Sequence, residues 1–595
     1  MCGIVGMLGS RNAVPVLVEG LKRLEYRGYD SAGVAVFQPA GLEIRRAVGR
    51  LSELEKKLAA HPLDSTLGIG HTRWATHGVA SERNCHPHLG QEGRLALVHN
   101  GIIENYQELK AGLVEKGVSF SSETDTEVLA QFVADCTTEG DFVSGLRGAL
   151  KQARGAYAIG MLCTDQPDTL YAARLGSPLI VGKGKNGLFI ASDVPAILPQ
   201  VDEVIYLEDG EIARLTKEGV EVWNLAGEEV SPKWVKVEME DTAVDSGGFE
   251  TFMLKEIHEQ TRVLRGLLDT YLIGEKIVLP DLNMSDQQIR ELERIMIVSC
   301  GTAYYAAMYG RLLIEKFTSI AVETDLGSEF RYRSPKISHG TLVATVSQSG
   351  ETADTLASVK MAKEAGAPIL AICNVFGSSL VRESDHLIYT HAGPEIGVAS
   401  TKAFTAQLMA FVLFTLHVAE VRGDLSPDER KELLAELQKI PTAILRILER
   451  KEDIRVIAEL HHDGPSSLYL GRRFNYPIAL EGALKNKEIS YQHAEGYAAG
   501  EMKHGPIALI NDSLPVICIC TETVDEVDEK MISNIREVQA RSGRIIAIAT
   551  EGDQRLADIT TDIIFVPRTR ESLSPLVNVV ALQLLAYYAA QARGT

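Results

Sequence analysis

Eight short segments without charged residues recur in the second half of the chain, in two sets of four. Strands that are apolar on both faces belong inside a parallel sheet, whereas half-exposed strands alternate polar and apolar residues. The segments are residues 295–299, 342–346, 369–373 and 387–390, and then 467–470, 516–520, 545–549 and 563–566. With the helical stretches between them, they predict two parallel sheets covered by helices.

The two sets are interpreted as diverged copies of one doubly wound unit. The segment from Ser426 to Glu429 combines an N-cap serine, a proline at N1 and a capping-box glutamate, so we expect a helical bridge from there toward His461. The polar stretch 240–248 predicts a linker before the first copy. We predict an α/β chain with an N-terminal domain and two doubly wound parallel-sheet domains, at residues 1–240, 250–425 and 455–595.

Charge and composition exclude several classes of protein. The 595 residues carry 80 Asp and Glu against 60 Lys and Arg, and the net charge of −20 opposes binding to nucleic acid or anionic membranes. Eight cysteines without a CxxC pair fit a reducing compartment. The uncharged runs 403–419 and 572–592 include polar residues such as Gln407 and Asn578, which favours buried helices over membrane spans. We expect a cytoplasmic protein without a cofactor.

Cys2 is a candidate nucleophile. Removal of Met1 would join its thiol to a free α-amine, whose pKa of about 7.7 to 8.0 suits a general base. Asn100 and Gly101 follow the apolar run 95–99, so we expect a side-chain amide and a backbone N–H at a strand-end turn, suited to stabilising an oxyanion.

Two charged residues near these groups suggest a small substrate. Arg73 lies in the polar segment 71–78, and Asp125 lies at a predicted helix start within 122–127. An arginine for the α-carboxylate and an aspartate for the α-ammonium would together recognise a free amino acid.

The turn Ser347-Gln348-Ser349-Gly350-Glu351-Thr352 lies between a predicted strand and a predicted helix. Its hydroxyls, its amide and the unpaired N–H groups of the helix start predict an anion cradle for a phosphate. Thr302 follows the preceding strand, at the sheet edge where α/β proteins bind ligands, and would add a hydroxyl.

Glu481, Lys485 and Glu488 are spaced to share one helix face. A solvated, salt-bridged face is the alternative interpretation, but the flanking residues are nearly uncharged, which favours burial. His504 adds an imidazole on a nearby loop. Carboxylate and imidazole together suit sugar-ring opening and proton movement between adjacent carbons.

Two further patterns favour structural interpretations. The glycine pattern of residues 182–187 resembles a dinucleotide loop, but predicted strands flank it on both sides, so we expect a hairpin. Cys85, His86 and His88 with His71 and His77 match no zinc spacing, and we expect no metal site.

The N-terminal motifs resemble those of the N-terminal-nucleophile glutamine amidotransferases, at residues 2–6, 26–33, 71–78, 99–101 and 123–125. This resemblance implies a four-layer αββα sandwich over residues 1–240. It implies that Cys2 attacks the glutamine amide, that Asn100 and Gly101 form the oxyanion hole, and that Trp74 helps to gate an ammonia path. The residues implied to hold glutamine are Arg73, Thr76, His77 and Asp125.

The second half resembles the paired sugar-isomerase domains of the glutamine:fructose-6-phosphate aminotransferase family, at residues 347–352, 397–402, 479–490 and 494–506. The resemblance implies glutamine-dependent conversion of fructose 6-phosphate to glucosamine 6-phosphate, which starts hexosamine formation. Glu488 would move the proton, supported by Glu481 and Lys485, while His504 from the partner in a homodimer would open the ring. The sugar phosphate would be bound by Thr302, Ser347, Gln348, Ser349 and Thr352, with Val398 lining the site.

Two departures and two alternatives remain. Ala303 stands where the family often has serine, and the sequence stops at Thr595, before the tail whose lysine forms a Schiff base in the family. We therefore expect the native chain to extend further. One alternative is a related aminosugar synthase or deglycase. The other is a phosphosugar-binding regulator. The glutaminase residues argue against a regulator, which has no use for ammonia.

Overall fold

A computed structural model describes residues 2–25, 28–39, 41–75, 77–137, 141–237, 247–523 and 527–595. The chain divides into two compact units, Met1–Asp245 and Ser246–Thr595. Most of the stretch expected to be a linker lies outside the described residues.

The described part of the first unit is built from two antiparallel sheets and five α-helices. Its strands are β1 (Gly3–Gly9), β2 (Ser31–Gln38), β3 (Gly41–Val48), β4 (Leu67–Arg73), β5 (His88–Gly90), β6 (Leu95–Ile103), β7 (Gly155–Cys163), β8 (Leu170–Leu175), β9 (Ile180–Gly184), β10 (Gly187–Ala191), β11 (Glu203–Tyr206), β12 (Glu211–Thr216), β13 (Gly219–Asn224), β14 (Glu229–Val230) and β15 (Val235–Lys236). Its helices are α1 (Ala13–Lys22), α2 (Leu51–Ala60), α3 (Tyr106–Glu115), α4 (Asp125–Cys136) and α5 (Phe142–Gln152).

The two sheets pack face to face between helices. The strand orders are β15-β11-β9-β10-β1-β4-β2-β3 and β14-β13-β12-β8-β7-β6-β5. Ile4 and Ile69 of the first sheet share one buried cluster with Val98 and Ala158 of the second. Helices α1 and α2 cover the outer face of the first sheet, and α3, α4 and α5 cover that of the second. The predicted αββα sandwich is confirmed.

The second unit contains two parallel sheets and a small hairpin. Its strands are β16 (Leu272–Ile273), β17 (Lys276–Ile277), β18 (Arg294–Ser299), β19 (Ala321–Leu326), β20 (Thr341–Ser347), β21 (Ile369–Cys373), β22 (His386–Tyr389), β23 (Ser466–Gly471), β24 (His493–Ala498), β25 (Pro515–Cys520), β26 (Arg544–Thr550) and β27 (Ile563–Val566). Its helices are α6 (Phe252–Tyr271), α7 (Asp286–Arg290), α8 (Thr302–Phe317), α9 (Gly327–Phe330), α10 (Ala353–Glu364), α11 (Ser379–Arg382), α12 (Lys402–Arg422), α13 (Pro427–Leu437), α14 (Ile440–Glu449), α15 (Lys451–His461), α16 (Tyr476–Ser490), α17 (Val527–Gln539) and α18 (Pro575–Arg593).

The two parallel sheets have the same topology. Their strand orders are β19-β18-β20-β21-β22 and β24-β23-β25-β26-β27, and all neighbours are parallel. The eight predicted strands are confirmed to within about one residue at each end. One buried apolar cluster includes Ile297 of the first sheet and Ile517 of the second, so the two sheets share a continuous core.

Helices α12 and α18 pass through this core. By length and composition both could cross a membrane, but 83% of the most apolar 18-residue segment of each helix is buried inside the protein. The expectation of buried helices is confirmed for both runs.

The predicted bridge between the sheets begins at α13, where Ser426 caps the helix by accepting a hydrogen bond from the N–H of Glu429 at 3.2 Å. The carboxylate of Glu429 accepts a hydrogen bond from Arg570 at 3.2 Å.

Candidate functional site

A small cavity opens in the first unit around Cys2. It is lined by Cys2, Arg73, Trp74, His77, His86, His99, Gly101, Thr124, Asp125 and Thr126. The structure thus brings six of the predicted site residues together. Thr76 and Met1 lie outside the described residues.

Cys2 directly precedes β1, and its thiol faces the end of β4. The sulfur accepts a hydrogen bond from the N–H of Trp74 at 3.2 Å. Burial raises the pKa of the Cys2 thiol, although this N–H group and the nearby Arg73 act in the opposite direction. The thiol therefore needs a base to remove its proton at neutral pH.

Asn100 and Gly101 lie within β6, not in the turn predicted from their sequence. Both continue the pairing with β7, through Asn100 opposite Ala158 and Gly101 opposite Tyr157. Gly101 has a φ of +132°, and an added Cβ would collide with the carbonyl oxygen of Ala156. Glycine thus allows a distortion inside the strand. The side chain of Asn100 donates to the carbonyl oxygen of Cys2 at 3.0 Å, so it lies beside the candidate nucleophile.

Two buried charged residues line the cavity. Arg73 donates through Nη2 to the carbonyl oxygens of His77 and, at 3.1 Å, Gly78. Its buried Nη1 has no hydrogen-bond partner among the described residues, so a donor is available to a ligand. Asp125 begins α4, and its carboxylate accepts from the N–H of Ile103 at 2.9 Å. A guanidinium and a carboxylate in one cavity match the two charged groups of a free amino acid.

A group of histidines lies beside this cavity, and two of them, His86 and His99, line it. Burial lowers the pKa of His71 to about 3, and it also lowers the pKa of His86, His88 and His99. These imidazoles are therefore neutral near pH 7. Within the part of the chain that the structure describes, no group of three or more His, Cys, Asp or Glu side chains is arranged to hold a metal ion.

The glycine pattern at residues 182–187 forms a hairpin. Strands β9 and β10 pair antiparallel, with Gly184 opposite Gly187, so that Lys185 and Asn186 form the turn. The interpretation as a hairpin is confirmed.

The second candidate site lies where the strand order of the first parallel sheet reverses. Strands β18 and β20 are neighbours, with Ser299 opposite Val346, and the connections that follow them leave toward opposite edges of the sheet. Ligands of open α/β sheets bind in the crevice at such a switch point. Thr302 and the turn from Ser347 to Thr352 lie on its two sides.

The turn after β20 is held by its own hydroxyls. The Oγ of Ser347 accepts from the N–H of Gly350 at 2.9 Å, and the Oγ of Ser349 accepts from that of Glu351 at 3.2 Å. Gly350 has a φ of +67°, and an added Cβ would collide with Ser378. Thr352 is the N-cap of α10 but makes no side-chain capping bond, and Gln348 is half-buried. The turn and the start of α10 thus lie at the crevice, and their role in binding a phosphate stays a prediction.

Helix α16 of the second sheet reaches this crevice. Lys485 donates to Thr302 Oγ1 at 3.1 Å, and Thr302 donates to Glu481 Oε1 at 3.3 Å. Lys485 Nζ lies 2.5 Å from Glu488 Oε2 and 3.3 Å from Glu481 Oε1. The structure therefore joins the predicted phosphate-binding residue to the helix face that was predicted independently.

The charges of this cluster follow from its burial. Burial raises the pKa of the Glu481 carboxyl to about 8, against the influence of Lys485. Burial alone would lower the pKa of Lys485, but Glu481 and Glu488 together raise it. The buried Lys485 thus lies between a buried Glu481 and Glu488, whose side chain is 32% exposed. Glu488 is consequently the member of the cluster that a ligand can reach.

Val398 and His504 are both exposed in the described chain. Val398 is 49% exposed on the loop between β22 and α12. His504 ends a short 3-10 helix, Ala499–His504, and no hydrogen bond or ion pair among the described residues links it to Glu488. Trp74, in the first unit, is 42% exposed, and its ring packs edge-on against that of Tyr29 at 5.4 Å.

Two buried carboxylates that were not identified from the sequence anchor the loop that carries Val398. Glu256 of α6 accepts from the N–H of Gly397 at 3.0 Å, while Glu395 accepts from those of Thr401 at 2.9 Å and Ala403 at 3.0 Å. Burial, followed by the charge of Glu395, raises the pKa of Glu256 to about 8, while Lys402 opposes the shift. The signal available for Glu256 was its place in the largely apolar stretch 252–257.

We expect the Glu256→Gln variant to gain stability relative to the parent as the pH rises. In the unfolded chain Glu256 ionises near 4.5, but in the folded chain it keeps its proton to about pH 8, so parent stability falls between these values. Glutamine removes this dependence and retains an acceptor for the loop. Urea unfolding at pH 5 to 9 is expected to show a relative gain of at least about 1.4 kcal/mol.

Glu315→Gln is the control, since Glu315 lies at the surface and pairs with Arg311 at 3.1 Å. A stability difference between Glu256→Gln and the parent that does not vary over this pH range would contradict the assignment.

Comparisons with known proteins identify relatives of both units. The pattern of the glutamine amidotransferase domain matches residues 71–199, and that of the SIS domain matches residues 288–417 and 462–593. A glutamine–fructose-6-phosphate aminotransferase (isomerizing) of Caldanaerobacter subterraneus subsp. tengcongensis is 47% identical over 595 residues, covering 100% of this chain and 97% of the relative. A protein of the same name from Thermus thermophilus is 49% identical over 587 residues, covering 99% and 96%.

A solved structure resembles the second unit. The C-terminal domain of glucosamine-fructose-6-phosphate aminotransferase from Francisella tularensis is 38% identical, with a TM-score of 0.57. The match covers 59% of this chain and 99% of that structure.

Proposed function

The chain belongs to the glutamine–fructose-6-phosphate aminotransferase (isomerizing) family, and from that membership we propose how its two sites divide the reaction. The protein is an enzyme that uses glutamine to aminate fructose 6-phosphate, giving glucosamine 6-phosphate. The observation that carries the proposal is the contact of Thr302 with Lys485 and Glu481. Through this contact, a phosphate-binding residue and a proton-transferring helix face share one crevice.

In the first site, Cys2 attacks the side-chain amide of glutamine once removal of Met1 has freed its α-amine to act as base. Asn100 and Gly101 donate to the oxyanion of the tetrahedral intermediate. Arg73, Thr76, His77 and Asp125 hold the substrate, with Arg73 directed to its α-carboxylate and Asp125 to its α-ammonium. This step releases ammonia and leaves glutamate on the Cys2 sulfur as a thioester, which water hydrolyses. The exposed ring of Trp74 helps to gate the path that the ammonia takes.

In the second site, Thr302 and the turn from Ser347 to Thr352, including Gln348 and Ser349, bind the phosphate of the sugar. Glu488 moves a proton between C1 and C2, which converts the ketose form into the aldose form. Lys485 and Glu481 hold Glu488 in place, and Val398 lines the opening of the crevice.

His504 opens the sugar ring from the partner subunit of a homodimer. Its exposure supports this assignment, because a ring-opening imidazole buried in its own chain could not reach another subunit.

The proposed domain boundaries are 1–240, 250–425 and 455–595. A cytoplasmic location is proposed from the composition and from the burial of the two long apolar helices.

Isotope transfer tests the function directly. The purified native protein would be incubated with fructose 6-phosphate and glutamine carrying ¹⁵N in its side-chain amide, and the products would be analysed by mass spectrometry. Glucosamine 6-phosphate carrying ¹⁵N is expected. Glutamate without any labelled amino sugar would contradict the proposed coupling of the two sites.

We expect Arg73→Ala to raise the KM for glutamine by about 10- to 150-fold, because losing a charge-assisted hydrogen bond costs about 1.5 to 3 kcal/mol. Steady-state glutamine hydrolysis measures this. Arg174→Ala is the matched control: Arg174 is a buried arginine of the same unit that donates to Leu207 and lies outside the cavity. An unchanged KM in Arg73→Ala would remove Arg73 from the substrate pocket.

A further inference from the structure

The amide of Asn100 is contacted on both sides by side chains that have been given no role so far. Its Nδ2 donates to the carbonyl oxygen of Cys2 at 3.0 Å and to Ser192 Oγ at 2.9 Å. Its Oδ1 lies 3.0 Å from Nε2 of His71. Asn100, Ser192 and His71 are all buried. Whether the N–H groups of Asn100 face Cys2 depends on what each of these neighbours donates or accepts.

His71 is a donor at this position. Its Nε2 lies 3.0 Å from the carbonyl oxygen of His99 as well as from Oδ1 of Asn100, so it faces two acceptors and must carry a hydrogen. Burial keeps the ring neutral by lowering the pKa of His71 to about 3. The single hydrogen of the ring is therefore on Nε2, which is consistent with Nδ1 having no hydrogen-bond partner among the described residues.

Ser192 is an acceptor. Its Oγ receives the N–H of Ile4 at 2.8 Å in addition to the amide of Asn100, and its own N–H donates to the carbonyl oxygen of Ile4 at 3.0 Å. Ser192 is thereby fixed to β1 two residues from Cys2. The oxygen of Ser192 and the carbonyl of Cys2 are two acceptors at the same end of the Asn100 amide.

These contacts leave one orientation for the amide of Asn100. If it rotated by 180°, its oxygen would face the carbonyl oxygen of Cys2, and its NH₂ group would face the N–H of His71. Both contacts are repulsive, and both would leave buried polar groups without partners. A rotated amide would also present an oxygen to the region where negative charge develops during attack by Cys2.

We propose that His71 and Ser192 are positioning residues for glutamine hydrolysis, which hold the amide of Asn100 with its nitrogen, and not its oxygen, on the side of Cys2. The inference rests on the proposed oxyanion role of Asn100. Neither residue lines the cavity around Cys2, and each acts through Asn100. Their function is to fix the orientation of the amide before the reaction, so that it need not flip when the oxyanion forms.

Single variants of the full chain test the first consequence. Asn100→Ala is expected to lower kcat for glutamine hydrolysis by about 100- to 1,000-fold, as for other oxyanion-hole donors. Ser192→Ala and His71→Leu are each expected to lower kcat by about 10-fold or more, with less than about a threefold change in KM for glutamine. His71→Gln retains a side-chain N–H donor and is expected to recover part of the loss.

A double-mutant cycle separates positioning from a general structural role. In the Asn100→Ala background, Ser192→Ala and His71→Leu should cause almost no further loss, because the group they position is gone. His88→Leu is the matched control: His88 is a buried histidine of the same group that contacts Thr124 and not Asn100. Its effect should add fully to that of Asn100→Ala.

The outcomes are distinguishable. Normal hydrolysis in Asn100→Ala would overturn the oxyanion assignment itself. An impaired Asn100→Ala combined with unimpaired single variants, or with losses that add fully, would overturn only the positioning role. If His71→Leu fails to fold, Ser192→Ala in the same cycle decides the question.

Discussion

Replacing Cys2 with alanine is expected to lower glutamine hydrolysis by about 10,000-fold or more, because the covalent route is lost with the nucleophile. Binding of fructose 6-phosphate should be unchanged, since the phosphate-binding turn belongs to the other compact unit. Glutamate release measures the first effect, and calorimetric titration with fructose 6-phosphate measures the second.

Cys136→Ala is the matched control for this experiment. Cys136 is another half-buried free thiol of the same unit, at the end of α4, and it lies outside the cavity. Its loss should leave hydrolysis nearly unchanged. Glutamine turnover by Cys2→Ala at close to the parent rate would disprove the assignment of the nucleophile.

The second large effect is expected from Glu488→Gln. A general base contributes about 100- to 10,000-fold, so glucosamine 6-phosphate formation should fall by that factor, with glutamine hydrolysis retained. Glutamine can still accept a hydrogen bond from Lys485 but cannot take a proton. Exchange of the transferred hydrogen with D₂O, followed by NMR, reports the proton transfer directly.

Glu459→Gln serves as its control, because Glu459 lies on the surface of α15 and pairs with Arg455 at 3.0 Å. If Glu488→Gln exchanged the hydrogen at the parent rate, a different residue would have to move the proton.

In the two parallel sheets, the sequence predicted the three interior strands and one edge strand, but it missed the other edge strand of each sheet. Central strands such as β21 and β25 are buried on both faces, so their residues form uncharged runs that stand out. Strands β19 and β24 lie at the edge of each sheet, and they contain Glu323, Asp325 and Glu495, which make them look like loops. Partial exposure removes the signal that identified their neighbours.

The site residues were predictable where a local pattern carried them, as with the turn after β20. The predicted position of Asn100, in a turn, was wrong. The pair Asn-Gly favours turns, but in the structure both residues lie within β6, where the paired backbone accommodates the positive φ of Gly101. Ser192 gave no local signal, since its role depends on the pairing of β10 with β1. The contact between Lys485 and Thr302 joins residues that are 183 positions apart, and no spacing rule reaches that far.

That contact also has an evolutionary consequence. Two α/β copies that arose by duplication could at first have been lost or exchanged independently. Once an ammonium from one copy is buried against a hydroxyl from the other, a substitution that removes either group leaves a buried polar group without that partner. Residues of one copy thereby limit the substitutions that the other can accept, although the two sheets are separate.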